Sequence, residues 1–177
     1  GQATMHFESG DLRHLIAAVE KIYRSLAAAR KVVFKIVDFP KPLFWQVDAP
    51  HLTVAVSQLV ENAIHATPAE GFVTLKLSAT VDEAEIQVLD TGSGIAKEAL
   101  PTLFDRFKSL GEIHERKMGG LGLGLFIAKS LIENHGGAIL VESAIGAGTR
   151  MMIRLPKQPA PHAAERPSPA ATVPKPA

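Results

Sequence analysis

The chain has 177 residues, 46% of them hydrophobic, which is enough for one sizeable core and too little for two full domains. With 19 Lys plus Arg against 18 Asp plus Glu, its net charge of +1 supplies no field for gathering nucleic acid or an anionic membrane. The absence of cysteine excludes a disulfide framework and thiolate metal sites, and suits a reducing, cytoplasmic compartment.

Residues 1–10, which open on Gly1 rather than Met, are expected to be a linker remnant. From Asp11 to Ala29, Leu12, Leu15, Ile16, Val19, Ile22, Tyr23 and Leu26 recur at helical spacing behind a possible Asp11 N-cap. Residues 31–38 form a strand rich in branched side chains, ended by Pro40 and Pro42, and Phe44–Val47 form a second, short one. Pro50 opens a helix over 51–67 with the stripe Leu52, Val56, Leu59, Val60 and Ala63, and Pro68 blocks its continuation.

Residues 72–79 and 83–89 alternate with period two across a short polar turn, so they are expected to pair antiparallel. An apolar helical pattern from Leu123 to Asn134 is stopped by His135-Gly136-Gly137, and strands over 138–143 and 149–155 follow, joined by a glycine-rich turn. The fold class this order indicates is a two-layer α/β sandwich, a mixed, mostly antiparallel sheet with helices on one face. One domain over 11–156 is expected, followed by a disordered Pro/Ala-rich tail or linker over 157–177 that has too few large apolar residues to offset the entropy of ordering. No apolar run is long enough to span a bilayer, so this part of the protein is expected to be soluble, with any membrane anchor lying elsewhere in a longer chain.

Three short elements carry chemistry. On the helix over 51–67, positions 58, 62 and 65 share one polar face. There the Asn62 amide oxygen is a hard, neutral ligand suited to magnesium beside a triphosphate, although a lone mid-helix Asn is more often merely solvated. At a strand end stands Asp90-Thr91-Gly92-Ser93-Gly94-Ile95. Read as a site, Asp90 accepts the exocyclic amino hydrogen of adenine, and Gly92 and Gly94 let the backbone approach the purine; read blandly, the run is a routine turn.

The third element is Gly119-Gly120-Leu121-Gly122-Leu123-Gly124-Leu125 at a helix entry. Glycines inside a helix each cost about 1 kcal/mol, a cost that makes sense where bare N–H groups and the helix N-terminus face phosphate. Its spacing fits neither the P-loop nor the Rossmann fingerprint. The irregular stretch between the two glycine elements has the profile of a lid, whose cations Arg106, Lys108, Arg116 and Lys117 are within reach of phosphate, Arg116 and Lys117 best because they abut the glycines.

In this order and spacing, Asn62 in Glu61-Asn62-Ala63, DTGSGI, LFDRF and GGLGLGL resemble the N box, first glycine box, F box and second glycine box of two-component sensor histidine kinase catalytic domains, over roughly Glu8 to Pro156. The resemblance implies the GHKL (Bergerat) ATP-binding fold shared with DNA gyrase B, Hsp90 and MutL, and ATP with Mg2+ as cofactors. It implies a nucleotide site drawn from Asn62, His65, Asp90, Gly92, Gly94, Ile95, Arg116, Lys117, Gly120, Leu121, Gly122, Leu123, Gly124 and Thr149, with Asn62 on the metal.

Hydrolysing members of that wider family carry a Glu where this chain has Gln58, and an amide cannot accept a proton usefully, so Gln58 favours a kinase over an ATPase. Many histidine kinases have Asn at that position, Lys at His65 and Tyr at Ala66, so this chain departs from them at all three. None of the seven histidines has the setting of a phosphoacceptor. The resemblance therefore implies a protein histidine kinase domain, incomplete without the dimerisation and histidine phosphotransfer domain of the same kinase, with a response regulator receiver domain as a further partner. Two rival readings stay open at this point: a serine/threonine kinase of the anti-sigma-factor type, and a degenerate nucleotide-binding docking module.

Overall fold

A computed structural model describes residues 4–106 and 122–158. Its elements in chain order are β1 (Glu8–Asp11), α1 (Leu12–Ala29), β2 (Val33–Val37), β3 (Phe44–Val47), α2 (Ala49–Ala66), β4 (Phe72–Ala79) and β5 (Glu83–Asp90). A 3-10 turn (Leu100–Thr102), α3 (Gly124–Asn134), β6 (Ala138–Ser143) and β7 (Thr149–Pro156) complete the elements among the described residues. The main sheet runs β2-β4-β5-β7-β6, and β1 and β3 form a separate two-stranded ribbon. Only the β2–β4 pair is parallel; β4–β5, β5–β7 and β6–β7 are antiparallel, which is the mixed, mostly antiparallel sheet expected.

The period-two pattern decides which face the helices cover. Val73, Leu75 and Leu77 of β4, Ala84, Ile86 and Val88 of β5, and Ile153 and Leu155 of β7 are buried, and with Leu12, Ile16 and Val19 of α1, Leu52, Val56, Leu59 and Val60 of α2, and Ala128 and Ile132 of α3 they make one core. Burying each such side chain contributes on the order of 2 kcal/mol, so this layer is the main source of stability. The opposite sheet face is mixed, with Val33, Val37, Phe72 and Leu140 exposed on it beside charged residues, among them Arg154 of β7 reaching Glu85 at 3.0 Å and Glu83 at 3.7 Å on β5.

Two aspartates start the long helices. Asp11 caps α1 by accepting from the Arg13 N–H at 3.1 Å, and also takes the Leu43 N–H at 3.0 Å. Asp48 caps α2 by accepting from the His51 N–H at 3.1 Å. Arg30, just past α1, donates to the Ile64 and His65 carbonyls at 3.3 and 3.1 Å, covering the orphan acceptors at the end of α2.

The N-terminal boundary differs from the sequence reading. Residues 8–10 are not linker: they are part of β1, which pairs with β3 in the register Glu8↔Val47 to Asp11↔Phe44. The ribbon is fastened to the body by Trp45, 2% exposed, whose indole N–H donates to the Pro156 carbonyl at 2.8 Å. Lys157, assigned from composition to a tail, continues the fold, its ammonium donating to the Phe44 carbonyl at 2.9 Å and lying over the Trp45 ring. Residues 159–177 of that tail lie outside the described residues.

Candidate functional site

The site is built where β5 leaves the sheet. Asp90 ends that strand opposite Thr149, the first residue of β7. Its Oδ1 accepts from the Gly92 N–H at 2.8 Å and the Thr149 N–H at 3.2 Å. Its second carboxylate oxygen has no partner among the described residues. Burial pushes the Asp90 carboxyl above its ordinary pKa, and the two backbone hydrogen bonds offset this only in part. A half-satisfied, partly buried acceptor of this kind is arranged to receive a donor from a ligand.

Glycine is required beside it for lack of room. A Cβ on Gly92 would lie 2.5 Å from the Ala66 carbonyl oxygen and 2.8 Å from Asp90 Oδ1, so the loop runs flush against both the end of α2 and the carboxylate. Gly94 has φ +72, and its Cβ would collide with the Ala144 carbonyl oxygen.

The loop is tied to the β6–β7 hairpin at two points. The Ile95 N–H donates to Ser143 Oγ at 2.8 Å, and the Gly146 N–H to the Ser93 carbonyl at 2.7 Å. Ser143 in turn donates to the Gly148 carbonyl at 2.8 Å, so the 2.9 Å contact between the two hydroxyls must have Thr149 as donor. Ser143 was not singled out in the sequence. The only signal available was a polar residue ending a strand beside a glycine-rich turn. Thr149 itself is buried; its hydroxyl is spent on Ser143, and its backbone N–H is what touches Asp90. Ile95 is likewise buried, and its side chain belongs to the core.

Asn62 lies midway between the two glycine elements. One turn before it, the Gln58 amide lies against Gly124, the first residue of α3; one turn after it, the Ala66 carbonyl accepts from the Ser93 N–H at 3.3 Å. The Asn62 side chain is exposed and that of His65 half-buried, and neither makes a side-chain hydrogen bond among the described residues. The start of α3 is also open: Leu123 at its N-cap supplies no side-chain cap, and the first intrahelical bond there is from the Ile127 N–H to the Leu123 carbonyl at 2.9 Å. Gly122 (φ +66), Leu123 and Gly124 stand at this entry, where the backbone N–H groups of the first turn have no partner among the described residues, which favours an anion.

Arg106 stands over the Phe126 ring of α3, 4.4 Å from its centroid, and Lys129 lies 5.8 Å from the centroid of Phe104. These contacts hold the F-box region against α3. Lys108, Arg116, Lys117, Gly120 and Leu121 lie outside the described residues. The residues present fit a purine nucleotide with a metal: a free carboxylate oxygen beside a glycine cradle, an open amide on α2, and an uncapped helix start.

His135 is the feature whose role the sequence concealed. It stops α3, yet it is 2% exposed, its Nδ1–H donating to the Leu131 carbonyl at 2.7 Å and its Nε2 accepting the Asp48 N–H at 3.1 Å. Burial pushes its pKa down, so both ring nitrogens are used in the neutral form. No group of three or more potential metal ligands occurs among the described residues, and no helix among them is long and apolar enough to cross a membrane.

Comparison with known proteins agrees with this geometry. Residues 47–159 match the family model described as histidine kinase-, DNA gyrase B-, and HSP90-like ATPase. The sensor protein SrrB of Staphylococcus aureus is 37% identical over 120 residues, covering 68% of this chain and 21% of SrrB, so the chain spans about a fifth of the length of such curated relatives. Full-length ShkA, solved in complex with AMPPNP, superposes with a TM-score of 0.77 at 25% identity, covering 90% of this chain and 33% of that one. Histidine kinase ThkA, solved in complex with the response regulator protein TrrA, has the same fold, with a TM-score of 0.72 at 24% identity over 86% of this chain and 42% of that one.

Proposed function

The chain belongs to the histidine kinase-, DNA gyrase B-, and HSP90-like ATPase family, and on that premise we propose that it is the ATP-binding catalytic domain of a sensor histidine kinase. The observation that carries this reading is Asp90, with one oxygen held by two backbone N–H groups and the other left free beside a glycine cradle.

The free oxygen accepts the exocyclic amino group of adenine. Guanine would offer a carbonyl there, and two acceptors face to face leave both unpaired, so GTP is disfavoured. Gly92 and Gly94 keep the floor open to the purine, while Ile95 and Thr149 hold that floor to the core and to Asp90. Asn62 presents its amide oxygen to magnesium, and His65, one turn further on, is a hydrogen-bond donor toward the nucleotide. The N–H groups around Gly122, Leu123 and Gly124 receive the phosphates, joined by Gly120, Leu121, Arg116 and Lys117 of the preceding segment. Bound magnesium-ATP supplies the transferable γ-phosphoryl group and the charge compensation it needs.

No base is required on this chain, because an acceptor imidazole is already a nucleophile. We assign that acceptor to a dimerisation and histidine phosphotransfer domain of the same kinase, and the onward partner to a response regulator receiver domain; the ThkA–TrrA complex supports the second assignment by analogy.

The test is calorimetric titration of magnesium-ATP and magnesium-GTP into the wild-type chain and an Asp90→Asn variant. The expected result is adenine-selective binding that weakens at least about a hundredfold in the variant, because the new Nδ2–H2 points a donor at a donor. Equal affinity for the two nucleotides, or an unaffected variant, would remove Asp90 from the role and the reading with it.

A further inference from the structure

Gln58 stands where the family resemblance implies either a catalytic Glu or an Asn, and its side chain is half-buried against the first residue of α3. A Cβ on Gly124 would collide with Gln58 Oε1 and lie 3.3 Å from its Cδ and 3.9 Å from its Cγ. The plane of the amide and its stem thus fill the space that any other residue at 124 would occupy. On α2, side chains lean toward the N-terminus, and Asn62 lies one turn beyond Gln58 on the same face. α3 begins without a side-chain cap, so its first turn is placed by packing, with Gln58 of α2 set directly against its first residue.

We propose that Gln58 and Gly124 form an interlocked pair, in which Gln58 is a positioning residue that sets the first turn of α3 against α2 and so fixes the phosphate-binding entry relative to the metal-binding Asn62. This rests on the nucleotide reading above and deepens it. The glycine at 124 then serves two ends: it bares backbone to an anion, and it admits the amide of Gln58. The departure at position 58 becomes a geometric adaptation, since an Asn there is one methylene shorter and would not reach α3 in the same way.

The pair makes a specific pattern of effects. A methyl group at position 124 expels the far end of a flexible side chain, so Gly124→Ala should reproduce Gln58→Ala rather than add to it. Gln58→Glu keeps length and shape, and hydrolysing members of the wider family carry Glu at this position, so it should hold α3 in place and leave nucleotide affinity largely intact.

The experiment is a double-mutant cycle on the whole chain with two readouts: hydrogen exchange of the Ile127 N–H without nucleotide, and magnesium-ATP affinity. We expect Gln58→Ala and Gly124→Ala each to speed that exchange and to weaken binding about tenfold, with the double variant no worse than either. Gln58→Glu should retain slow exchange and bind within about threefold of wild type, a rescue by an equally long side chain that loss of the interlock in Gln58→Ala would not show. Unchanged exchange in Gln58→Ala, or additive effects in the double variant, overturns the interlock even if nucleotide binds. Failure of the wild-type chain to bind magnesium-ATP overturns the proposed function instead, and the positioning role with it.

Discussion

Asp48 and Asp90 lie at the two ends of α2, and the protein treats the two carboxylates in opposite ways. Asp48, 2% exposed, accepts from the His6 N–H at 2.7 Å and the His51 N–H at 3.1 Å, and His51 Nδ1 lies 2.9 Å away. Burial alone would raise its pKa, but those partners outweigh burial and hold it down to about 2. Asp90 has two partners on one oxygen and none among the described residues on the other, and its pKa is raised. One carboxylate is finished by its own chain; the other keeps one oxygen open among the described residues, for a ligand on the function proposed above. A buried charge with its lone pairs filled supports the fold, whereas one with a vacancy at a loop marks a site that trades stability for binding.

The contrast breaks or sharpens under substitution. The largest effect is expected at Asp48→Ala, which removes the α2 cap and orphans the His6 N–H: unfolding free energy should drop by about 3 kcal/mol in urea titration. Any magnesium-ATP binding that remains at low temperature should be little changed. Asp90→Asn should do the reverse, keeping Oδ1 as acceptor for Gly92 and Thr149 while removing a costly charge. Its thermal midpoint should match or exceed that of wild type even as nucleotide affinity collapses. A lower midpoint would mean that the Asp90 charge is structural after all.

Acid separates the two next. Asp48 and Asp11 have pKa values lowered from 3.8 to about 2, so the stability they contribute is present above pH 3.8 and is lost as pH falls through about 2. For Asp90, whose pKa is raised, the sign reverses: the folded state is favoured when the group is protonated, and that benefit is lost as pH rises through the raised pKa. Urea midpoints measured from pH 7 downward should therefore show the deficit of Asp48→Asn shrinking in acid, and any advantage of Asp90→Asn shrinking as well. The smallest effect is expected on the sheet face away from the helices, where Arg154→Ala removes exposed ion pairs to Glu83 and Glu85 and should cost less than about 0.5 kcal/mol.

Much of this was legible in the residues because local signals and tertiary packing agree. The Asp11 cap, the prolines that bound α2, and the alternation of β4 and β5 each state locally what the fold then uses. The sequence singles out the glycine elements and Asn62 together, but it could not say that Thr149 would touch Asp90 through its backbone, or that Arg106 would stack on Phe126. What stayed hidden is made by distant partners. β1, Glu-Ser-Gly-Asp, has no apolar alternation and becomes a strand only because β3 pairs with it. His135 reads as a helix stop until Asp48, 87 residues away, donates to its ring.

The fastening of the DTGSGI loop to the β6–β7 hairpin has a thermodynamic consequence. Because Ile95, Ser93, Ser143 and Gly146 already hold that loop, a base seated there on the proposed function would enter a floor whose conformational entropy was surrendered during folding, with little further ordering to oppose binding. Altering base preference is then a problem of two chain segments rather than of one: a new residue facing the purine must also be compatible with a hairpin some fifty positions downstream, as the 48-residue separation of Ile95 and Ser143 implies.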